Sequence, residues 1–287
     1  MSDILDKVLI TGSGGMVGSY VDFGIKTNRS SMDISDLKEV LGVFEKYKPR
    51  AVLHLAAETD VDMCERGPDH AYKVNSLGTY NLAAASKKYG AKLVYISTAA
   101  VFDGKKDGAY TENDEPNPQN YYGHSKYLGE LAAMAFTKNY LIVRTSWMMG
   151  GGPEKDKKFV AKIIKQLKDP AVTEIKAITD HTGSPTYAKD LVAVVKSLIE
   201  KNEKGTVHLS NSGKTSRYGI AEYIINAMGS NIRLTPVGSD HFGSDAKRTK
   251  NEVLSSKIDK MRPWEDALGE YLNDEWKEYF HKNGQIL

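Results

Sequence analysis

The sequence predicts an α/β protein, a doubly wound parallel sheet with a smaller carboxyl-terminal lobe, and three observations predict it. Short apolar, β-branched runs alternate with helical patterns through the first half of the 287 residues, the rhythm of strand–helix–strand crossovers. A glycine-rich turn, Gly12-Ser13-Gly14-Gly15-Met16-Val17-Gly18, follows directly on the first of those runs. The side chains with chemical potential, Thr98 and the pair Tyr122 and Lys126, fall at or after later strand ends, toward the rim where open α/β sheets collect ligands.

Each element follows from its residues. Lys7-Val8-Leu9-Ile10-Thr11 reads as a buried parallel strand, and the glycine turn behind it as the start of a helix. Gly12 permits the tight bend, Gly15 lets backbone approach a pyrophosphate and Gly18 lets helix and strand pack closely, the arrangement of a Rossmann-type dinucleotide site. Between Val21 and Met32 there is room only for an abbreviated second strand. Ser35 is placed to cap a helix through Tyr47, Ala51 to Ala57 is the next strand, and an alanine-rich helix ends near Gly90. Leu93 to Ser97 reads as a strand, Tyr122 to Lys138 as a helix and Leu141 to Ser146 as a strand. Gly12, Ala57, Thr98 and Ser146 then all stand at carboxyl ends of strands.

The second half is less regular. Helices are predicted over Lys157 to Lys168, Tyr187 to Lys201 and Arg217 to Met228, with an amphipathic tail helix from Pro263 to Phe280 that carries the proline in its first turn. No internal repeat or low-complexity linker intervenes. Residues 1–150 therefore read as a dinucleotide-binding domain and 151–287 as mainly a substrate-binding lobe, some of whose segments return to the first domain.

Composition narrows the partners. A net charge of +2, with Lys and Arg spread along the chain, gives no reason to expect nucleic acid. The single cysteine, Cys64, excludes an internal disulfide framework and a cysteine-rich zinc site, and no metal ligand set is expected; Cys64 itself reads as a small buried side chain. Met1-Ser2-Asp3-Ile4 does not begin a basic-then-apolar leader, and no run reaches membrane-spanning length, so the expectation is a cytoplasmic protein without a membrane partner.

The chemistry centres on Tyr122. A phenol ionises near pH ~10 and exchanges protons at neutrality only with help from its surroundings. On a helix, Lys126 at i+4 shares the face of Tyr122, and its ammonium is the cation that could stabilise a phenolate. Thr98, ending the strand Tyr95-Ile96-Ser97-Thr98, adds a hydroxyl that can hold a substrate carbonyl while Tyr122 gives or takes a proton.

Taken together, these motifs resemble the extended short-chain dehydrogenase/reductases, and within them the dTDP-4-dehydrorhamnose reductases. The resemblance runs from Thr11-Gly12 to Gly18, through Met32-Asp33-Ile34-Ser35-Asp36, His54 to Thr59, Val61-Asp62-x-Cys64-Glu65 and Val74-Asn75. It continues in Ser97-Thr98-x-x-Val101-Phe102-Asp103-Gly104, Tyr122 to Lys126, Arg144-Thr145-Ser146-Trp147 and Asp180 to Thr186. It implies a proton donor at Tyr122, a lysine at Lys126 that also touches the nicotinamide ribose, and a substrate-contacting hydroxyl at Thr98. By the same resemblance, Gly12, Gly15, Met16, Val17 and Gly18, then Asp33 and Ile34, then Ala57, Glu58 and Thr59 line a nicotinamide cofactor. Asp33 suits either an adenosine ribose, lying 21 positions after Gly12, or the later strand end beside the adenine, and the second is preferred. Lys26 and Arg29, with no carboxylate after Asp22 in that stretch, favour NADPH slightly over NADH.

On the substrate side the resemblance places Trp147 against the sugar and the basic loop Lys247, Arg248, Lys250 near the diphosphate of a nucleotide sugar, with Arg248 as its contact. Thr249 stands where relatives usually have proline. Ala99 and Ala100 stand where close relatives carry Asp and Tyr, which takes polar contacts out of the sugar site although Ala99 remains one of its positions. The function implied is NAD(P)H-dependent reduction of a nucleotide-linked 4-keto-6-deoxy sugar, as in dTDP-rhamnose biosynthesis, by a chain for which a homodimer is compatible. Two alternatives accompany it: a nucleotide-sugar epimerase of the same superfamily, and a NADP-binding regulatory subunit similar to that of methionine adenosyltransferase. A dehydratase would need an acid and a base where Ala99 and Ala100 stand.

Overall fold

The structure is a computed structural model and describes residues 4–258 and 261–278. Met1 to Asp3 and the end of the tail helix expected to run to Phe280 lie outside the described residues. Strands β1 (Val8–Thr11), β2 (Ile25–Lys26), β3 (Ala51–His54), β4 (Lys92–Thr98) and β5 (Tyr140–Thr145), joined by Gly205–His208, form one parallel six-stranded sheet. Its order is Gly205–His208, β5, β4, β3, β1, β2, with Val8 opposite Ala51 and Thr98 opposite Thr145. The strand order reverses between β1 and β3, so the crevice that binds ligands in such sheets opens beyond Thr11 and His54.

Alternation explains both layers. Val8, Ile10, Leu53, Val94 and Val143 face one way, onto Leu191, Val195 and Ile199 of the helix Ala188–Glu200. Leu9, Val52, Leu93, Tyr95 and Ile142 face the other way, onto Phe44 of α1 (Leu37–Tyr47), Leu82 of the helix Gly78–Tyr89 and Ala133 of the helix Tyr121–Phe136. Short helices α2 (Val61–Arg66) and α3 (Pro68–Ala71) precede α4 (Gly78–Tyr89), which Gly90 ends at φ 70°, and α5 spans Tyr121–Phe136. The cap of α1 is Asp36 rather than Ser35. Its carboxylate accepts from the backbone N–H of Lys38 and Glu39, while the Ser35 hydroxyl is spent on Asp33.

One predicted element is missing. After the glycine turn there is a single 3₁₀ turn, Gly18–Tyr20, where a helix was expected. The chain must reach β2 at Ile25, and the glycine turn has already used half of the connection, too little for a helical crossover. Val17 and Tyr20 pack against the cluster built on Leu191 and Val195, so the helix Ala188–Glu200 covers that flank instead.

The second half builds its own core from Ile164 of the helix Phe159–Lys168, Ile175, Ile224 of the helix Arg217–Ala227, and Trp264, Leu268 and Tyr271 of the helix Trp264–Tyr271. Pro263 stands at the N-cap position, just outside the first turn of that last helix, and a π-helical turn, Leu272–Trp276, continues it. A small sheet of Thr215–Ser216, Thr182–Gly183 and Asn251–Glu252 stands beside the rim of the large one. Among the described residues no helix is long and apolar enough to cross a membrane, and no group of His, Cys, Asp or Glu is disposed to hold a metal.

Candidate active site

Thr98 ends β4 and Tyr122 lies in the first turn of α5, whose N-cap, Asn120, accepts the Gly123 backbone N–H at 2.8 Å. A Cβ at Gly123 would come within 2.1 Å of the Ala100 carbonyl, so a glycine there lets α5 start against the segment that follows β4. That contact brings the two hydroxyls together. Burial pushes the Tyr122 phenol up to about 12, the hydroxyl of Thr98 lowers it, and Cys64, Glu252 and Glu58 raise it further. Tyr122 is therefore protonated at neutral pH.

Lys126 lies one turn on and is 3% exposed. Its ammonium was expected beside the phenol. It donates instead to the Ile96 carbonyl at 2.7 Å and sits 4.2 Å from the centre of the Tyr95 ring, because so deeply buried a cation must find an acceptor within the protein. Burial lowers its pKa to about 7, against the fields of Glu130 and Cys64, which raise it. Beneath it, Glu130 accepts from Arg144 through both oxygens, at 3.0 and 2.7 Å, and from Ser97 Oγ. Neither member of that ion pair is more than 6% exposed in its side chain.

At the other end of the crevice, Gly12 has φ 68°, and a Cβ on it would lie 2.6 Å from the Ala56 backbone nitrogen. Gly18 closes the loop on itself: its Cβ would meet the Ser13 carbonyl at 2.5 Å, a packing within the turn rather than of helix on strand. Gly14 has open space around it and Gly15 meets only Gly12 O, so Gly15, Met16 and Val17 form a backbone cradle above β1. The strand β3 stops at His54, and Ala57, Glu58 and Thr59 lie in the loop beyond it. Buried Asn75 holds that loop, accepting from Glu58 N at 2.8 Å while donating to Glu58 O and Ser125 Oγ. From the second half of the chain, Lys158 Nζ donates to Thr59 O and Oγ1 at 3.0 and 3.1 Å. Asp33 sits in the loop before α1, its carboxylate kept below the usual range by Ser35 and, more weakly, by Arg29 and Lys73; Ile34 beside it is buried against Gly78.

The substrate side departs most from expectation. Ala99 is fully buried in a cluster with Val101, Phe102, Tyr110 and Leu254, so its side chain offers a ligand no surface. Arg248 is paired with Asp62 at 2.6 Å, tying its loop to α2. Trp147 follows β5 at φ 38°, a left-handed conformation that costs a bulky residue about 1–2 kcal/mol. Its indole N–H donates to Glu252 Oε2 at 2.9 Å, and Glu252 Oε1 accepts from Thr249 Oγ1 at 3.0 Å. Only a glycine fits at 183, where a Cβ would be 2.4 Å from indole Cε2.

A family model, the RmlD substrate binding domain, matches residues 6–276. The chain belongs to this family. It is 36% identical to the spore coat polysaccharide biosynthesis protein SpsK of Bacillus subtilis over 283 residues, covering 94% of this chain and 98% of that protein. It is 34% identical to the dTDP-4-dehydrorhamnose reductase of Mycobacterium tuberculosis, over 92% of this chain and 91% of that one. The crystal structure of dTDP-4-dehydrorhamnose reductase from Bacillus anthracis in complex with NADP superposes with a TM-score of 0.88 at 34% identity, covering 94% of this chain and 99% of that chain.

Within this member of the RmlD family, three of the residues that sequence reasoning missed share one character. Glu252, Arg217 and Lys158 come from the second half and act across the crevice, where no spacing in the sequence announces them. Asn75 and the Glu130–Arg144 pair lay inside or beside the quoted motifs, and the one available signal was a polar residue in an apolar helix face or strand.

Proposed function

We propose that this protein reduces the 4-keto group of a dTDP-linked 6-deoxy sugar with NADPH. The observation that carries the reading is a neutral phenol, Tyr122, raised to about 12 and set beside Thr98 at the carboxyl end of β4, a proton donor ready for a developing alkoxide. The family's named reductases and the NADP complex of the Bacillus anthracis relative support the direction and the cofactor.

The residues present fit a nicotinamide dinucleotide. The turn at Gly12 has no room for a Cβ, and the backbone from Gly15 to Val17 is open to a pyrophosphate, while Ala57 to Thr59 and Asp33-Ile34 flank the same crevice. Lys26 and Arg29, exposed at and after the end of β2, suit the additional phosphate of NADPH. When bound, the cofactor supplies the hydride. Tyr122 supplies the proton, the Thr98 hydroxyl holds the carbonyl oxygen, and Lys126, poised near neutrality, passes a proton on and takes the ribose end of the nicotinamide. Residues 151–287 supply mainly the substrate lobe, with the helix Ala188–Glu200 and the strand Gly205–His208 returning to the dinucleotide-binding domain, and the fixed loop Glu58–Thr59 aligns the two halves of the crevice. A cytoplasmic setting goes with such a substrate and cofactor.

The test is loss of NADPH or NADH absorbance with a panel of nucleotide-linked 4-keto sugars. Turnover is expected with a dTDP-linked member, reduced by about 10²- to 10⁴-fold in Tyr122→Phe with NADPH binding retained. Full activity in Tyr122→Phe would remove the proton-donor assignment.

A further inference from the structure

Arg217 opens the helix Arg217–Ala227, where the helix dipole is positive and disfavours a cation. Its guanidinium nevertheless lies between two aromatic rings, 3.7 Å from the centre of Trp147 and 5.1 Å from that of Phe159. The side chain is half-buried, and among the described residues it donates no hydrogen bond and makes no ion pair. Burial lowers its pKa to about 10, opposed by Glu252 and assisted by Arg248. Stacking orients the guanidinium plane but uses none of the N–H groups at its edge, which stay in contact with water and free to meet an anion.

Trp147 is held as firmly. Its left-handed backbone, its N–H on Glu252 and the lack of a Cβ at Gly183 leave the ring one position. A half-buried guanidinium with a free edge, stacked on an aromatic residue whose backbone is strained, has the arrangement of a ligand site. The neighbours say which part of a ligand. Trp147 carries Arg217 on its face and Glu252 on its indole N–H, and the same carboxylate raises the pKa of the Tyr122 phenol, so these groups border one part of the crevice. In a nucleotide-linked 4-keto sugar the diphosphate hangs on C1, across the ring from the keto carbon. Arg248, the basic residue that sequence reasoning offered for that anion, is already engaged with Asp62.

We infer that Arg217 grips the diphosphate of the nucleotide-linked substrate, with Trp147 as the wall that separates this anion from the reacting keto group. The inference rests on the proposed reductase reading. It replaces the basic loop at 247–250 by a single planar fork, suited to bidentate phosphate contact.

Calorimetric titration of the NADPH-loaded protein with thymidine diphosphate and with thymidine tests it. In Arg217→Ala the diphosphate is expected to bind about 10- to 100-fold more weakly, thymidine equally well, and Arg217→Lys to recover only part of the loss. The KM for the keto sugar should rise by a similar factor with kcat within about twofold, and NADPH binding should not change. Undiminished thymidine diphosphate binding in Arg217→Ala, a parallel loss for thymidine, or failure of the wild-type protein to bind the diphosphate would each overturn the inference. If Arg217-dependent diphosphate binding is found but no keto sugar is turned over, the inference stands and the reductase reading falls. Turnover indifferent to Arg217 has the opposite meaning.

Discussion

Replacing Lys126 by methionine should make the protein more stable and inactive, and the gain should depend on pH in a defined way. The ammonium is buried at 3% exposure and its pKa is lowered from the usual 10.5 to about 7. At about 1.4 kcal/mol for each tenfold change in proton affinity, carrying that charge costs the folded state roughly 5 kcal/mol at pH 7 and below. Against this, Lys126→Met leaves the Ile96 carbonyl without its donor, about 1–3 kcal/mol, and removes a cation–π contact with Tyr95 of about 1–2 kcal/mol. Methionine fills similar volume, so the net gain at pH 6 is on the order of 1–2 kcal/mol. The sign of the pH dependence follows from the depressed folded pKa. Between about 7 and 10.5 the unfolded chain binds more protons than the folded one, so wild-type stability rises with pH through that window and falls back as pH drops to 7. The variant has no such slope from this position. Urea unfolding of both proteins without cofactor, from pH 6 to pH 9, should give a difference that is constant below pH 7. Above it, the advantage of the variant should shrink by about 1.4 kcal/mol per pH unit and reverse by pH 9. Curves that stay parallel across the range would refute the buried-cation argument, whatever happens to activity, which should drop by at least about 10².

Two further outcomes follow from named contacts. Glu130→Gln leaves the Arg144 guanidinium buried without its countercharge and should cost about 3 kcal/mol in urea unfolding; an unchanged midpoint would mean the pair contributes nothing. Gly12→Ala puts a Cβ 2.6 Å from Ala56 N at φ 68°, whereas Gly14→Ala meets open space, so NADPH affinity read by its fluorescence should fall at least about tenfold in the first and hold in the second.

The fold class was legible because parallel strands buried on both faces must be continuous apolar runs, and Val8 to Thr11, Ala51 to His54 and Tyr140 to Thr145 have no other sensible reading. Boundaries were less so. Ala51 to Ala57 reads as one strand although pairing stops at His54, because Leu55 turns back to Thr11 and apolarity alone does not record where a ladder ends. The helix expected after Gly18 failed for want of chain, a constraint visible only once β2 was placed at Ile25.

By itself the sequence determined the sheet, the glycine turn after β1 and the placing of Tyr122 and Lys126 one helix turn apart, since each depends on spacing along one strand or one helix turn. Only the tertiary structure decided what those groups meet: that Lys126 turns to the Ile96 carbonyl, that Ala99 faces a core, that Arg248 is taken by Asp62, and that Trp147, Glu252 and Arg217 close the far wall. These contacts join residues as far apart as 62 and 248, and the desolvation that sets their charges arises only when the two halves of the chain pack together.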